Sequence, residues 1–133
     1  MKRLKKFKLF EATEEMIQDI YLDVQDKVQY LQDDFDHIEF ELDLKRGSGM
    51  YFSDKNWMFS LCIKSVKKDS NGHLETFKVN DILPLLKNLN EFMEMNGLSI
   101  YHLISDTPNK FSKSVRKLEF PHEDVTTIYI TWN

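Results

Sequence analysis

Four side chains that could act together chemically stand at alternate positions: His37, Glu39, Glu41 and Asp43. Alternate residues of a β-strand share a face, about 7 Å apart. Imidazole and carboxylate ligands suit a divalent cation, so a metal-dependent hydrolase is one reading. A metal cage, however, needs groups converging from different elements, and positions along one straight strand diverge. A solvated strand face, with no metal and no cofactor, is the plainer reading. The other candidates are scattered. His73, His102 and His122 form no i, i+4 pair of the kind a zinc-protease helix carries. The chain has no nucleophile elbow and no phosphate-binding loop. Gly47-Ser48-Gly49 lies between strand-like stretches and reads as a turn. Cys62 falls mid-strand with nothing adjacent in sequence to lower its pKa, and reads as an unreactive packed thiol. No catalytic residue is assigned, and the chain reads as a non-enzyme.

The charge is uneven. The 133 residues carry a formal net charge of −4, with 41% hydrophobic and 13% aromatic residues. Such a composition specifies one folded domain rather than a disordered chain. Residues 1–8 hold Lys2, Arg3, Lys5, Lys6 and Lys8 with no acid, a block of +5. Residues 11–44 hold 12 acids against Lys27, a block of −11, and the remainder is +2. A second basic group is Lys110, Lys113, Arg116 and Lys117. Segregation of this kind speaks to partners rather than to fold. No apolar run approaches the ~18 residues of a membrane span. One cysteine excludes an internal disulfide, and the charged N-terminus lacks the apolar stretch of a secretory signal. A reducing, cytoplasm-like compartment is expected.

The elements follow from periodicity. Ile17, Ile20, Val24, Val28 and Leu31 keep helical spacing and predict a helix over 13–33, with Thr13 as N-cap. Ile38, Phe40, Leu42 and Leu44 alternate with Glu39, Glu41 and Asp43, predicting a half-buried strand over 37–45 with an acidic wet face. A second strand is expected over 57–66. Asn71-Gly72 signals a hairpin, and Leu74–Val79 reads as the returning third strand. Asn80 or Asp81 is expected to cap a helix running from about Ile82 to Asn96, with Pro84 in its first turn and Gly97 just beyond its end. Residues 98–104 and 125–132 read as strands, whereas 106–120 fit either a helix or a strand. The expected fold class is therefore α+β: a mainly antiparallel sheet of about five strands with two helices on one face. The expected organisation is a basic leader over 1–12 and one domain over 13–133.

Three resemblances bear on function. Asp43-Leu44-Lys45 resembles the acidic-x-Lys half-motif of restriction-type nuclease folds, without the acid of a preceding strand. The order helix, three strands, helix over about residues 13–96 is similar to a double-stranded-RNA-binding domain. The second helix nevertheless opens Asn80-Asp81-Ile82-Leu83-Pro84, where that family has a lysine cluster. The opening Met1-Lys2-Arg3-Leu4-Lys5-Lys6-Phe7-Lys8-Leu9-Phe10-Glu11-Ala12 resembles the leaders of small tailed-phage proteins. In T-even phages such leaders direct proteins into the prohead and are cut after Leu-x-Glu, which Leu9-Phe10-Glu11 matches, as does Leu89-Asn90-Glu91.

These observations point to a non-enzymatic domain that binds a protein partner through Glu39, Glu41, Asp43, Asp19, Asp23 and Asp26. A sub-reading has the acidic stretch imitating nucleic acid. The alternatives are a phage head-associated protein with a targeting leader, a nucleic-acid binder using the two basic groups, and the metal-dependent hydrolase. No membrane partner is expected.

Overall fold

A computed structural model describes residues 14–46, 57–107 and 113–133. The leader, Thr13, the Gly47–Gly49 turn and Lys110 lie outside the described residues. In chain order the elements are α1 (Glu14–Asp34), β1 (Ile38–Arg46), β2 (Trp57–Ser65), β3 (Phe77–Lys78), α2 (Val79–Met95), β4 (Ile100–Asp106), β5 (Asp124–Val125) and β6 (Thr127–Trp132). β1, β2, β6 and β4 form one antiparallel sheet in that order, and β3 pairs with β5 in a second, two-stranded one. The fold is α+β, as expected. No helix among the described residues is long and apolar enough to cross a membrane.

Register aligns a row of apolar residues from all four long strands on one side. Leu42, Leu61, Ile130 and Leu103 form one rung, and Leu44, Phe59, Trp132 and Ile100 another. Both helices lie over this side. α1 buries Ile17, Val24, Val28 and Leu31, and α2 buries Ile82, Leu86, Leu89 and Met93 in the same core. Asn90 of α2 ties the layers together by accepting a hydrogen bond from the Trp132 indole Nε1 at 2.9 Å.

β1 is an edge strand, and α1 supplies part of its edge. The Gln32 amide donates from Nε2 to the Ile38 carbonyl at 2.7 Å, and its Oε1 accepts from the Phe40 N–H at 2.8 Å. One side chain thus imitates a neighbouring strand residue. Gln32→Ala leaves both backbone groups without that partner and is expected to lower stability by about 1–3 kcal/mol, read as a lower urea midpoint.

Several expectations need correction. The stretch 74–79 does not return along β2, because both edges of β2 are already occupied, by β1 and β6. The Asn71-Gly72 turn forms, with Gly72 at φ 82°, but its arms share a single bridge, Lys68 to Leu74. β3 keeps two residues and pairs with a strand far along the chain. α2 starts at Val79, not at Ile82. Lys78 occupies the N-cap without a side-chain cap, and Glu123 accepts the Val79 N–H at 2.8 Å. The Asn80 or Asp81 cap is therefore replaced by a bond from outside the helix, and Pro84 falls in the second turn. The C-terminal end follows expectation. Gly97 has φ 83°, its N–H reaches the Glu94 carbonyl, and the Leu98 N–H reaches that of Met93. That is the Schellman pattern, with buried Leu98 and Met93 at its apolar contact.

Of the ambiguous segment, Asp106 is the last residue of β4, and 113–120 form neither a helix nor a ladder strand. Val115 makes one two-way bridge to Leu103, and Leu118 and Phe120 pack on the core. The last strand is broken at Thr126, whose N–H bonds the Asp106 carbonyl while its own carbonyl takes the Ser65 N–H.

Candidate functional site

The acidic residues singled out above fall on two surfaces on opposite sides of the sheet. Glu39, Glu41 and Asp43 stand on the sheet face away from the helices. Register places Glu41 beside Cys62, then Tyr129, then Ile104, a rung about 14 Å across. Lys64, directly opposite Glu39, reaches Glu41 at 3.1 Å, and Lys45 reaches Asp43 at 3.6 Å. This face is a charge-paired patch, and two lysines offset most of its acidity.

That pairing sets the local titrations. The hydrogen bond from Lys64, with a second shared with Glu39, holds the Glu41 carboxyl below its ordinary value. The same bond and the charges of Glu41 and Glu39 raise Lys64. A lowered carboxyl contributes stability above the ordinary carboxylate value and loses it as pH falls through its own. A raised ammonium contributes below the ordinary lysine value and loses it as pH rises through its own. The pair therefore acts across the whole neutral range. Lys64→Met is expected to move the Glu41 titration up toward the ordinary value, measured by carboxyl NMR. An unmoved midpoint would show that the bond does not form in solution. Burial, followed by the charge of Glu41, pushes the Cys62 thiol up, so it stays protonated and weakly nucleophilic.

α1 carries the other surface. Asp19, Leu22, Asp26, Tyr30 and Asp33 follow one another at steps of three and four and form one stripe on the solvent side. Leu22 is 53% exposed and Tyr30 75%. Asp23 flanks the stripe and is also exposed. Among the described residues, none of Asp19, Asp23 and Asp26 has an ion-pair partner. Lys27, the single base of α1, holds its ammonium 4.9 Å from the Phe92 ring centroid on α2. That cation–π contact draws the ammonium of this exposed lysine toward α2. Beside the stripe runs a groove of about 370 Å³ between the helices. Leu31, Leu85 and Leu89 line it, with Lys27, Tyr30, Asp26 and Asn88 around them. The aspartates of this surface are among the residues expected from sequence, whereas Leu22, Tyr30 and the groove are not. Their signal was an apolar residue on the wrong side of the helical period.

The remaining candidates do not assemble. His37 lines a separate cleft of about 390 Å³ with Asp34, Asp36 and Asp81 rather than joining Glu39 on its face. Among the described residues, no three His, Cys, Asp or Glu side chains form a group able to hold a metal ion. His102 Nδ1 and Ser114 Oγ lie 2.6 Å apart. The described residues bond no carboxylate to that ring, whose other neighbour is Tyr129, edge-on at 6.1 Å. The pair pins residue 114 to β4. Of the basic group, Lys113 is exposed, Arg116 stacks over Tyr101 at 5.4 Å, and Lys117 pairs with Glu119 at 3.2 Å. The stripe these residues would form on a helix is absent, because 113–120 is not helical.

Comparison with family models, curated proteins and solved structures finds no match to this chain.

Proposed function

We propose that this domain is a non-enzymatic interaction module that binds a cationic protein partner through the solvent face of α1. One observation carries the reading: exposed Leu22 and Tyr30 alternate with carboxylates whose own helix offers no cation to them, since Lys27 is held on Phe92. Exposed aromatic and aliphatic side chains ringed by like charges match the anatomy of a binding hot spot, apolar anchors inside a charged rim. The sheet face is the weaker candidate because Lys64 and Lys45 already partner its acids. A phosphate backbone would meet carboxylates on both surfaces, which disfavours the nucleic-acid reading. The leader-like N-terminus fits a tailed-phage origin, and the proposed binding does not depend on it.

The test is capture from extracts of the producing cells, with native protein and Asp19→Lys/Asp23→Lys/Asp26→Lys immobilised side by side. A protein held by the first and not by the second is the expected result. Equal capture by both, or capture of nucleic acid by the native domain, would overturn the proposal.

A further inference from the structure

We infer that the partner element is itself a helix: a cationic amphipathic helix lying along α1, with an apolar side chain seated in the groove between α1 and α2. This rests on the proposed use of the α1 face and specifies what that face recognises. The first argument is spacing. Asp19, Asp26 and Asp33 recur every seven residues, two helical turns, or about 10.5 Å of rise. Another helix running alongside has the same rise, so lysines or arginines at heptad intervals meet all three carboxylates at once. An extended strand advances about 3.3 Å per residue and meets them only out of step.

The second argument is the groove. It lies beside the Asp26–Tyr30 part of the α1 stripe, its wall is Leu31, Leu85 and Leu89, and Tyr30, Asp26 and Lys27 border it. Its roughly 370 Å³ admits one large aliphatic or aromatic side chain with room to spare. Apolar groove and acidic rim together are the complement of one object, a helix with an apolar stripe flanked by bases. Lys27 completes the selection. Its side chain lines the groove beside the leucines while its ammonium lies over the Phe92 ring, and it makes no ion pair with Asp26 among the described residues.

Three labelled synthetic peptides of about 21 residues serve as probes, a length of six turns at the usual pitch. The first places lysines at heptad intervals beside a leucine stripe. The second has the same composition in scrambled order. The third keeps the leucines and replaces the lysines by glutamates. Fluorescence anisotropy at low and moderate salt reads binding to the native domain, to the Asp19/Asp23/Asp26→Lys variant and to Asn88→Trp. Asn88 is an exposed rim position, so tryptophan there obstructs the groove without disturbing the core. The ordered cationic peptide is expected to bind at least about tenfold tighter than the scrambled one, and Asn88→Trp to remove that advantage. Equal binding of ordered and scrambled peptides, lost in the lysine variant, would overturn the helix and groove while leaving the acidic face standing. No preference for cationic over anionic peptide would overturn both. A concentration-dependent dimer of the domain that Tyr30→Ala dissolves would assign the groove to a second copy and contradict the inference.

Discussion

Replacing Trp132 by alanine is expected to remove about 3–5 kcal/mol of stability, the largest loss from any single side chain here. Trp132 has 0% exposure and sits at the junction of both layers. Phe59 and Ile100 flank it across the sheet, and Asn90 of α2 accepts its indole N–H. Alanine therefore opens a large cavity and also leaves α2 without its polar tie to the sheet. Domains of this size are stable by about 5–15 kcal/mol, so the variant is left marginal. Two further variants separate the contributions. Asn90→Ala keeps the ring but leaves a buried N–H unpaired, at a cost of about 1–3 kcal/mol. Trp132→Phe gives up the N–H and part of the volume together, while half-exposed Asn90 turns to water. Urea unfolding followed by circular dichroism should rank the midpoints native, then Asn90→Ala, then Trp132→Ala. A native-like midpoint for Trp132→Ala would mean that α2 does not pack over β6 as described.

The second large effect is on binding. Asp19→Lys/Asp23→Lys/Asp26→Lys is expected to weaken the protein partner's affinity on the order of 100-fold, mainly through slower association at low salt. All three side chains are exposed and unpaired among the described residues, and lysine is a better helix former than aspartate, so the fold should persist. Glu39→Lys/Glu41→Lys/Asp43→Lys is the matched control. Either triple changes the charge by two at each of three positions and takes the chain from −4 to +2. A partner that responds only to net charge will treat the two variants alike. A partner seated on α1 will discriminate between them, and surface plasmon resonance across a salt series reads the difference.

Much of this architecture was legible in the sequence where the governing contacts are local. The period of Ile17, Val24, Val28 and Leu31 predicted α1, and strict alternation from Ile38 to Leu44 predicted β1 and its wet face. Gly97 marked the end of α2 because its positive φ costs glycine little. What escaped depends on long-range pairing. β3 finds β5 across more than forty residues, and its short length follows from β6 having taken the place beside β2. The capping bond from Val79 to Glu123 and the Gln32 clasp on β1 are non-local in the same way. At the candidate site, the aspartates of α1 were legible as charge. The neutralisation of Glu41 by Lys64 was not, because it needs the strand register. Nor was the contact of Lys27 with Phe92, because it needs the neighbouring helix. Those two contacts shift the weight of the acidic surface from the sheet to α1.

The most direct measurement is site-resolved photo-crosslinking. A benzophenone side chain replaces Tyr30 in one sample and Tyr129 in another, one on each side of the sheet, and both are irradiated in extracts of the producing cells. The account predicts a discrete protein adduct from position 30 that disappears in the Asp19/Asp23/Asp26→Lys background, and none from position 129. An adduct from position 129 alone, or one from position 30 that survives the charge reversal, would contradict it.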